Sequence, residues 1–452
     1  MRIADLATRR VAIWGFGREG HAVLSTLRAR LPALPLTLFC RADEAEAARA
    51  FDPALAIMAG EPDAMALASF DVVVKSPGIS AYTPALLQAR ERGTSFTSGT
   101  ALWFAENPDA RVVGITGTKG KSTTSALLAH LARALGLRTA LAGNIGLPLL
   151  ELLDQRAALW VVELSSFQTG EAGPMALGVV TSLYEEHLDW HGSRERYVAD
   201  KLRLAGMSQQ LLVNGLQPAL LDHTQAHPRR RLFGVPEGWH VADGVICRGE
   251  RKVLAAEHLA APGAHNALNA CAALAALEAI GHDALAAAPA LAGFRPLPHR
   301  LQPLGERDGR HWVNDSISTT PLATLAALES LHGRTVTVLV GGYDRGLDWS
   351  PFVAAMREAP AHAVVCMGAN GPRIAQALRD AGVACPLLEV ADLAGAVAAA
   401  REATPAGGVI VLSPGAPSFD QFRDYAERGR RFSALAGFEA GAIARMEGLG
   451  IA

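Results

Sequence analysis

Between Arg111 and Thr123 the chain reads Arg-Val-Val-Gly-Ile-Thr-Gly-Thr-Lys-Gly-Lys-Ser-Thr, a β-branched run passing through glycines into an Ala/Leu-rich helical pattern. A turn of this kind lets backbone N–H groups close around phosphate oxygens at a helix N-terminus. Gly117, Thr118, Lys119 and Gly120 would form the cradle. Lys121 would neutralise the terminal phosphates of a nucleoside triphosphate, and Ser122 or Thr123 would offer a hydroxyl to Mg²⁺. The full Walker pattern places a glycine where Ile115 stands, so this is a shortened variant. A chance glycine turn is the bland alternative; a strand before, a helix after and Gly-Lys-Ser-Thr within argue against it.

Three more residues have chemistry to offer. Glu163 ends an apolar strand, where a carboxylate beside a phosphate loop commonly holds Mg²⁺; a buried carboxylate paired with an arginine is the other reading. His187, in Tyr184-Glu185-Glu186-His187-Leu188-Asp189, is a lone histidine, and lone histidines are more often structural than ligands. Lys201, in Tyr197-Val198-Ala199-Asp200-Lys201, would by itself be a solvated helix charge. Nearer the start, Gly15-Phe16-Gly17-Arg18-Glu19-Gly20 fits a dinucleotide turn. That fingerprint wants an acidic residue about twenty positions on, and the second strand ends instead at Cys40-Arg41. Arg41 suits a phosphate or a pyrimidine edge better than an NAD ribose. NAD, another nucleotide and a purely structural turn all stay open on these residues alone.

These groups need elements to hold them. Strands are expected at Val11–Trp14, Leu36–Phe39, Asp71–Val74, Arg111–Thr116, Leu159–Leu164, Thr335–Val340, Ala363–Cys366 and Val409–Leu412, alternating with helices such as His21–Arg30 and Asn266–Leu277. That alternation predicts an α/β fold with mostly parallel sheets and crossover helices. At roughly 150 residues per domain, 452 residues make about three. The expected division is a Rossmann-like domain over 1–108, a P-loop domain over 109–298 and a second Rossmann-like domain over 299–452, with a linker at Gly293–Pro298. Residues Gln209–Ala260 carry no chemistry that the sequence identifies.

Composition removes several classes. Lys+Arg 42 against Asp+Glu 44 leaves a formal charge of −2, so no basic excess points to nucleic acid or an anionic membrane. Half the residues are hydrophobic, enough for several cores, yet no window reaches the ~18 apolar residues of a membrane span. Five cysteines form no CxxC pair and read as reduced, packed thiols of a cytoplasmic protein.

Seven motifs in order carry a resemblance: Gly117–Thr123, Gly143-Asn144-Ile145-Gly146, Glu163-Leu-Ser-Ser-Phe-Gln168, His265-Asn-Ala-Leu-Asn269, Pro298-His299-Arg300, Asn314-Asp315-Ser316 and Leu412-Ser413-Pro414. Over essentially its whole length the chain resembles the ATP-dependent Mur ligases, and within them the group that adds glutamate to UDP-N-acetylmuramoyl-L-alanine. The resemblance implies a UDP-sugar domain, a central ATPase and an amino-acid domain. It implies ATP and Mg²⁺ as cofactors, with Ser122, Glu163, His187 and a carbamylated Lys201 on the metal. Asn266 and Asn269 would lie by the adenine and the metal, Arg300 on the phosphates and Asp315 on the ribose. Asn144 and His187 are expected nearest the UDP-linked carboxylate. Gly15, Gly17, Ser76 and Gly78 would approach the uridine nucleotide, with Arg41 at the uracil. A monomer is expected, with small-molecule substrates as partners and an epimerase acting downstream on the product.

The glutamate pocket departs from the usual pattern. Ligases adding D-glutamate usually read Asp-Ser-Lys-Ala-Thr-Asn, and this chain reads Asp315-Ser316-Ile317-Ser318-Thr319-Thr320. Ile317 cannot bind a carboxylate. The later Gly-Gly-x-x-Lys becomes Gly341-Gly342-Tyr343-Asp344-Arg345, exchanging a point charge for a planar fork. Thr319, Arg345, Ser418 and Tyr425 remain to meet an anionic amino acid. These changes resemble the branch that ligates L-glutamate, with D-glutamate as the alternative. A folylpolyglutamate synthase, an NAD-dependent oxidoreductase and a nucleotide-binding regulator without turnover are the remaining readings. The first fits poorly with a complete βαβ domain ahead of the phosphate loop; the second leaves Lys121 and Glu163 idle.

Overall fold

The computed structural model describes residues 1–184, 188–259, 263–295, 297–439 and 449–452. The chain forms two compact units, one of Met1–His258, His265–Ala292 and Gly448–Ala452, the other of Leu259–Ala264 and Gly293–Glu447.

The first unit contains two parallel layers. β1 (Val11–Trp14), β2 (Leu36–Cys40), β3 (Ala56–Ala59), β4 (Val72–Lys75) and β5 (Ser95–Thr97) form a sheet of order β3-β2-β1-β4-β5. β6 (Val112–Thr116), β7 (Thr139–Gly143), β8 (Leu159–Glu163), β9 (Met175–Val180), β10 (Ser208–Asn214) and β11 (Arg230–Phe233) form most of the second. β1, β4, β6, β7 and β8 are buried at every residue. Continuous apolar runs of this kind belong to parallel strands covered by helices on both faces. Trp103, in helix Gly99–Glu106, lies 4.6 Å from the Trp160 ring of β8 and joins the two layers in one core.

The stretch without named chemistry holds a small antiparallel sheet, β12 (Trp239–Ala242), β13 (Val245–Arg248) and β14 (Arg251–Ala255). Its first turn is Asp243-Gly244, both at positive φ (49° and 72°), the mirror-image turn that matches the twist of a hairpin.

In the second unit β15 (Gln302–Arg307), β16 (Arg310–Asn314), β17 (Val336–Val340), β18 (Ala363–Cys366), β19 (Leu387–Glu389) and β20 (Val409–Leu412) take the order β15-β16-β20-β17-β18-β19. All its pairs are parallel except β15 with β16. The fold is therefore α/β with mostly parallel sheets. Residues 449–452, which the sequence places with the last domain, lie in the first unit, where β21 (Gly450–Ile451) pairs antiparallel with β7.

All five cysteines are free; Cys40, Cys247, Cys271 and Cys366 are buried and Cys385 is half-buried. Burial pushes the Cys271 and Cys366 thiols up to about 12. No helix among the described residues is long and apolar enough to cross a membrane.

Candidate active site

β6 ends at Thr116 and helix Lys121–Ala134 begins after four intervening residues. Two of the intervening glycines are demanded by close packing. A Cβ on Gly117 (φ +149°) would sit 2.0 Å from Thr181 Oγ1, and one on Gly120 (φ +85°) 2.5 Å from Asn269 Oδ1. Gly120 is the N-cap and supplies no side-chain bond to the helix, whose first turn holds no acidic residue. Its leading N–H groups and positive dipole end are suited to an anion. The Lys121 ammonium curls onto the loop, donating to Gly117 O (2.8 Å) and Thr118 O (3.0 Å). The loop is fastened from outside: Ser182 Oγ accepts from Lys119 N at 2.8 Å, and Thr181 Oγ1 donates to Lys119 O at 2.6 Å. Thr118 Oγ1 is 2.6 Å from the Tyr197 hydroxyl. Ser122 is buried and Thr123 half-buried. Asn269 meets Thr124 Oγ1 and Asn266 at 3.4 Å each, so both predicted asparagines stand beside the loop.

Glu163, at the end of β8 beside β6, is 1% exposed. Its Oε1 accepts from Asn144 Nδ2 at 2.6 Å, while Oε2 is buried with no hydrogen-bond partner among the described residues. No arginine pairs with it among the described residues, which removes the second reading the sequence allowed. Leaving such an oxygen unmade costs about 1–3 kcal/mol or more for a charged group, and a bound cation is the chemical remedy. Oxygen donors from Glu163 and Ser122 fit a hard ion such as Mg²⁺. No group of three or more His, Cys, Asp or Glu side chains placed to hold a metal ion occurs among the described residues; His187 lies outside them.

Lys201 is 2% exposed, with its Nζ 4.9 Å from the Tyr197 ring centroid, so it is not the solvated charge that the sequence alone allows. Asp200 beside it accepts from the Tyr82 hydroxyl at 2.7 and 2.8 Å and lies 3.2 Å from Arg203. His191 Nδ1 is 2.8 Å from the same carboxylate and its Nε2 is 3.0 Å from Ser166 Oγ. The carboxylate only accepts, so Nδ1 donates to it and Nε2 shares the hydrogen bond with the serine. Thus one buried chain runs Tyr82–Asp200–His191–Ser166. Tyr82 belongs to the loop that follows β4; Ser166 follows Glu163 by three residues.

The predicted nucleotide residues of the first sheet gather in a cleft of about 570 Å³ that Gly15, Gly17, Arg41, Ser76, Gly78 and Asn144 all line. A Cβ on Gly15 (φ +100°) would meet Ser76 Oγ at 2.7 Å. Arg41 is exposed and paired with Asp43 (3.1 Å) and Glu44 (3.2 Å). The same cleft exposes Glu19, whose carboxyl burial pushes up to about 7, with Glu171 and Glu151 adding to the shift. Trp190 packs on two of the lining residues: its Nε1 donates to Pro77 O at 3.2 Å and Phe167 stacks on it at 4.6 Å.

In the second unit Asp315 is 4% exposed. Burial pushes its carboxyl up to about 6, against the pull of donors from Ser318 Oγ (2.5 Å), Ser413 Oγ (2.8 Å) and Leu301 N (3.0 Å). Arg300 sits between two residues at positive φ, His299 (64°) and Leu301 (44°). Thr319 is half-buried just before the N-cap Thr320 of helix Pro321–Ser330. Ser418 is buried beyond β20, Tyr425 opens helix Tyr425–Leu435, and Arg345 is exposed with its guanidinium 5.7 Å from the Phe419 ring. Sequence reading missed Tyr82, Asp200, His191 and Arg428. Their signal is a partner more than 100 residues away, or, for the His191–Asp200 pair, a nine-residue separation bridging two helices.

The profile of the Mur ligase middle domain matches residues 115–277, and that of the Mur ligase, glutamate ligase domain matches 299–415. A UDP-N-acetylmuramoyl-L-alanine–L-glutamate ligase of Xanthomonas campestris is 51% identical over 470 residues, covering 100% of both chains. The chain belongs to the Mur ligase family. This Mur ligase is also 51% identical over 469 residues to the enzyme of that name from Xylella fastidiosa, and 41% identical to one from a Micromonospora species, again over nearly the whole of each chain (98% of this one). Among solved structures it shares its fold with UDP-N-acetylmuramate-alanine ligase MurC of Thermotoga maritima (TM-score 0.60, 18% identity, 94% and 98% of the two chains). The MurF ligase of the same organism, in complex with ADP, is similar (0.59, 17%, 97% and 99%). The protein is an ATP-dependent ligase.

Proposed function

We propose that this Mur ligase joins L-glutamate to UDP-N-acetylmuramoyl-L-alanine, a step of peptidoglycan precursor synthesis that releases ADP and phosphate. The full-length likeness to relatives named for that ligation supports the reading, as do Ile317 and Arg345 in the amino-acid loops. The observation that carries the chemistry is the Asn144–Glu163 contact. It ties the nucleotide cleft to the strand end beside the phosphate loop, so a carboxylate presented from the cleft is met by a phosphoryl group.

Joining a carboxylate to an amine requires the carboxylate oxygen to become a leaving group. Attack on the γ-phosphate of ATP gives an acyl phosphate; the neutral amine of glutamate then attacks the acyl carbon and phosphate departs. Two anions must approach, and Lys121, released from the loop carbonyls, would offset their repulsion, with Arg300 as the further cation that the resemblance implies. Glu163 and Ser122 would hold Mg²⁺, with Lys201 and His187 as the further ligands that the resemblance implies, and the ion would supply additional charge neutralisation when bound. Gly117–Thr123 would hold the phosphates, Asn266 and Asn269 the adenine side, and Asp315 the ribose. Gly15, Gly17, Arg41, Ser76 and Gly78 would hold the UDP group. Thr319, Arg345, Ser418 and Tyr425 would receive glutamate.

The roles are divided among three domains, for the UDP-sugar (1–108), ATP (109–298) and the amino acid (299–452). The enzyme is placed in the cytoplasm as a monomer, its product passing to an epimerase that inverts the glutamyl centre. The deciding experiment supplies Mg²⁺, ATP and UDP-N-acetylmuramoyl-L-alanine with either L- or D-glutamate and follows phosphate release and product mass. Turnover with the D form alone would overturn the stereochemical assignment; turnover with neither would overturn the ligation.

A further inference from the structure

Arg428, in helix Tyr425–Leu435, is 1% exposed. Its Nε donates to Ser316 Oγ at 3.1 Å, and its Nη2 to the carbonyls of Ser316 (2.9 Å) and Ala416 (3.0 Å). All three acceptors are neutral. Nη1 is buried and makes no hydrogen bond among the described residues. Asp420 supports the charge from a distance, and no carboxylate is in hydrogen-bond or ion-pair contact with the guanidinium among the described residues. Burial lowers its pKa to about 10, the direction of a cation whose lost hydration is only partly replaced. It is still fully protonated at neutral pH.

The place of this charge gives it meaning. Ser316 lies two residues beyond β16, Ala416 four beyond β20, and Gly342 two beyond β17, three neighbouring parallel strands. A Cβ on Gly342 would come 3.1 Å from Nη1 and 2.3 Å from Pro417 O, so a glycine is needed for this loop to close on the guanidinium. The chain order turns back on itself here, with β20 returning between β16 and β17. In open α/β sheets, ligands bind in the crevice outside the carboxyl ends of strands at such a point. Arg345, by contrast, is exposed over Phe419. A purely structural clamp on two carbonyls and a hydroxyl would not need a formal charge, and a dry charge without a counter-ion is costly to keep.

We propose that Arg428 is a positioning residue of the amino-acid site: its buried charge gives the strand-end crevice its preference for an anionic side chain, and its clamp sets the spacing of the Ser316 and Ala416 loops that receive the substrate. The inference rests on the reading of the protein as a glutamate ligase. It adds a specificity determinant that the exchange of lysines at 317 and 345 does not explain.

The test uses the whole enzyme with ATP, Mg²⁺ and UDP-N-acetylmuramoyl-L-alanine. kcat and KM are measured for L-glutamate, for L-glutamine and for ATP in the wild type, R428M, R428Q and R428K, each first checked by thermal melting. R428M and R428Q remove the charge, and R428Q keeps hydrogen-bonding capacity should R428M not fold. Losing one member of a buried charge interaction predicts a fall of about 100-fold in the glutamate-to-glutamine ratio of kcat/KM, carried by KM for glutamate, with KM for ATP unchanged. R428K, which keeps the charge, retains most of the ratio. A folded neutral variant with the wild-type ratio, or R428K as impaired as R428Q, overturns the assignment. A rise confined to KM for ATP would make a phosphate the anion served and overturn it too. A wild type inactive with glutamate overturns the ligase reading itself, an outcome distinct from the others.

Discussion

Replacing Tyr82 by phenylalanine deletes one hydroxyl and leaves the ring in place. That hydroxyl donates to Asp200 at 2.7–2.8 Å, and both burial and this bond raise the phenol pKa, so it remains a donor throughout the working pH range. Hydrogen bonds to charged groups contribute about 1.5–3 kcal/mol. Asp200 keeps His191 and Arg203 after the substitution, which puts the loss near the lower figure, about 1.5 kcal/mol. For a unit of this size that is a fall in Tm of roughly 2–3 °C. Tyr82 continues the loop carrying Ser76 and Gly78, and Asp200 adjoins Lys201, so KM for the UDP substrate should rise alongside. The assay is a double-mutant cycle of Tyr82→Phe with Asp200→Asn, reading both Tm and KM. A coupling energy of about 1 kcal/mol or more is expected for groups in direct contact. Strictly additive effects would refute the reasoning, because they would mean that the two groups do not sense each other.

Four further outcomes are expected. Lys121→Ala should abolish ligation and shrink the thermal shift produced by ADP, since the loop loses its mobile cation. Glu163→Gln should raise the Mg²⁺ concentration needed for half-maximal rate by at least ~10-fold, as a carboxylate oxygen is replaced by a weaker donor; an unchanged requirement would remove Glu163 from the metal. His299, pushed down to about 4 chiefly by burial, is neutral when folded, whereas the unfolded chain takes up a proton below about 6.5. Its contribution is complete above that pH and lost as pH falls towards 4, so urea unfolding of His299→Gln should show an acid-side loss between pH 7 and 4.5 smaller by about 2–3 kcal/mol. Ile317→Lys combined with Arg345→Lys should move preference towards D-glutamate; no movement would count against these positions as determinants.

What could be read without coordinates follows a physical line. β18 and β20 run over the expected residues and β6 and β8 differ by one, because fully buried parallel strands are continuous apolar runs between glycine turns. The phosphate loop was legible because backbone geometry and charge demand a fixed spacing there. Helix Arg18–Arg30 starts three residues earlier than its apolar pattern, since Gly17 rather than a polar side chain caps it. The hairpins of β12–β14 were missed, although Asp243-Gly244 is a readable turn, because the strands are only four or five residues long. Lys201, Asp200 and Arg428 read as ordinary helix charges. A helix pattern reports which face is apolar, not which buried charge meets a loop folded in from elsewhere.

The cysteines have a practical consequence. With four thiols buried, the fifth half-covered, and two held about three pH units above their free value, almost no thiolate is presented to solvent in the native state. Cys40 lines the nucleotide cleft, Cys271 lies in helix Ala264–Ala279 beside Asn266 and Asn269, and Cys366 ends β18. Modification by an alkylating reagent must therefore wait for local opening. Its rate at each position becomes a site-resolved clock for breathing of the cleft, the nucleotide helix and the sheet of the second unit, in unaltered protein and without an introduced probe.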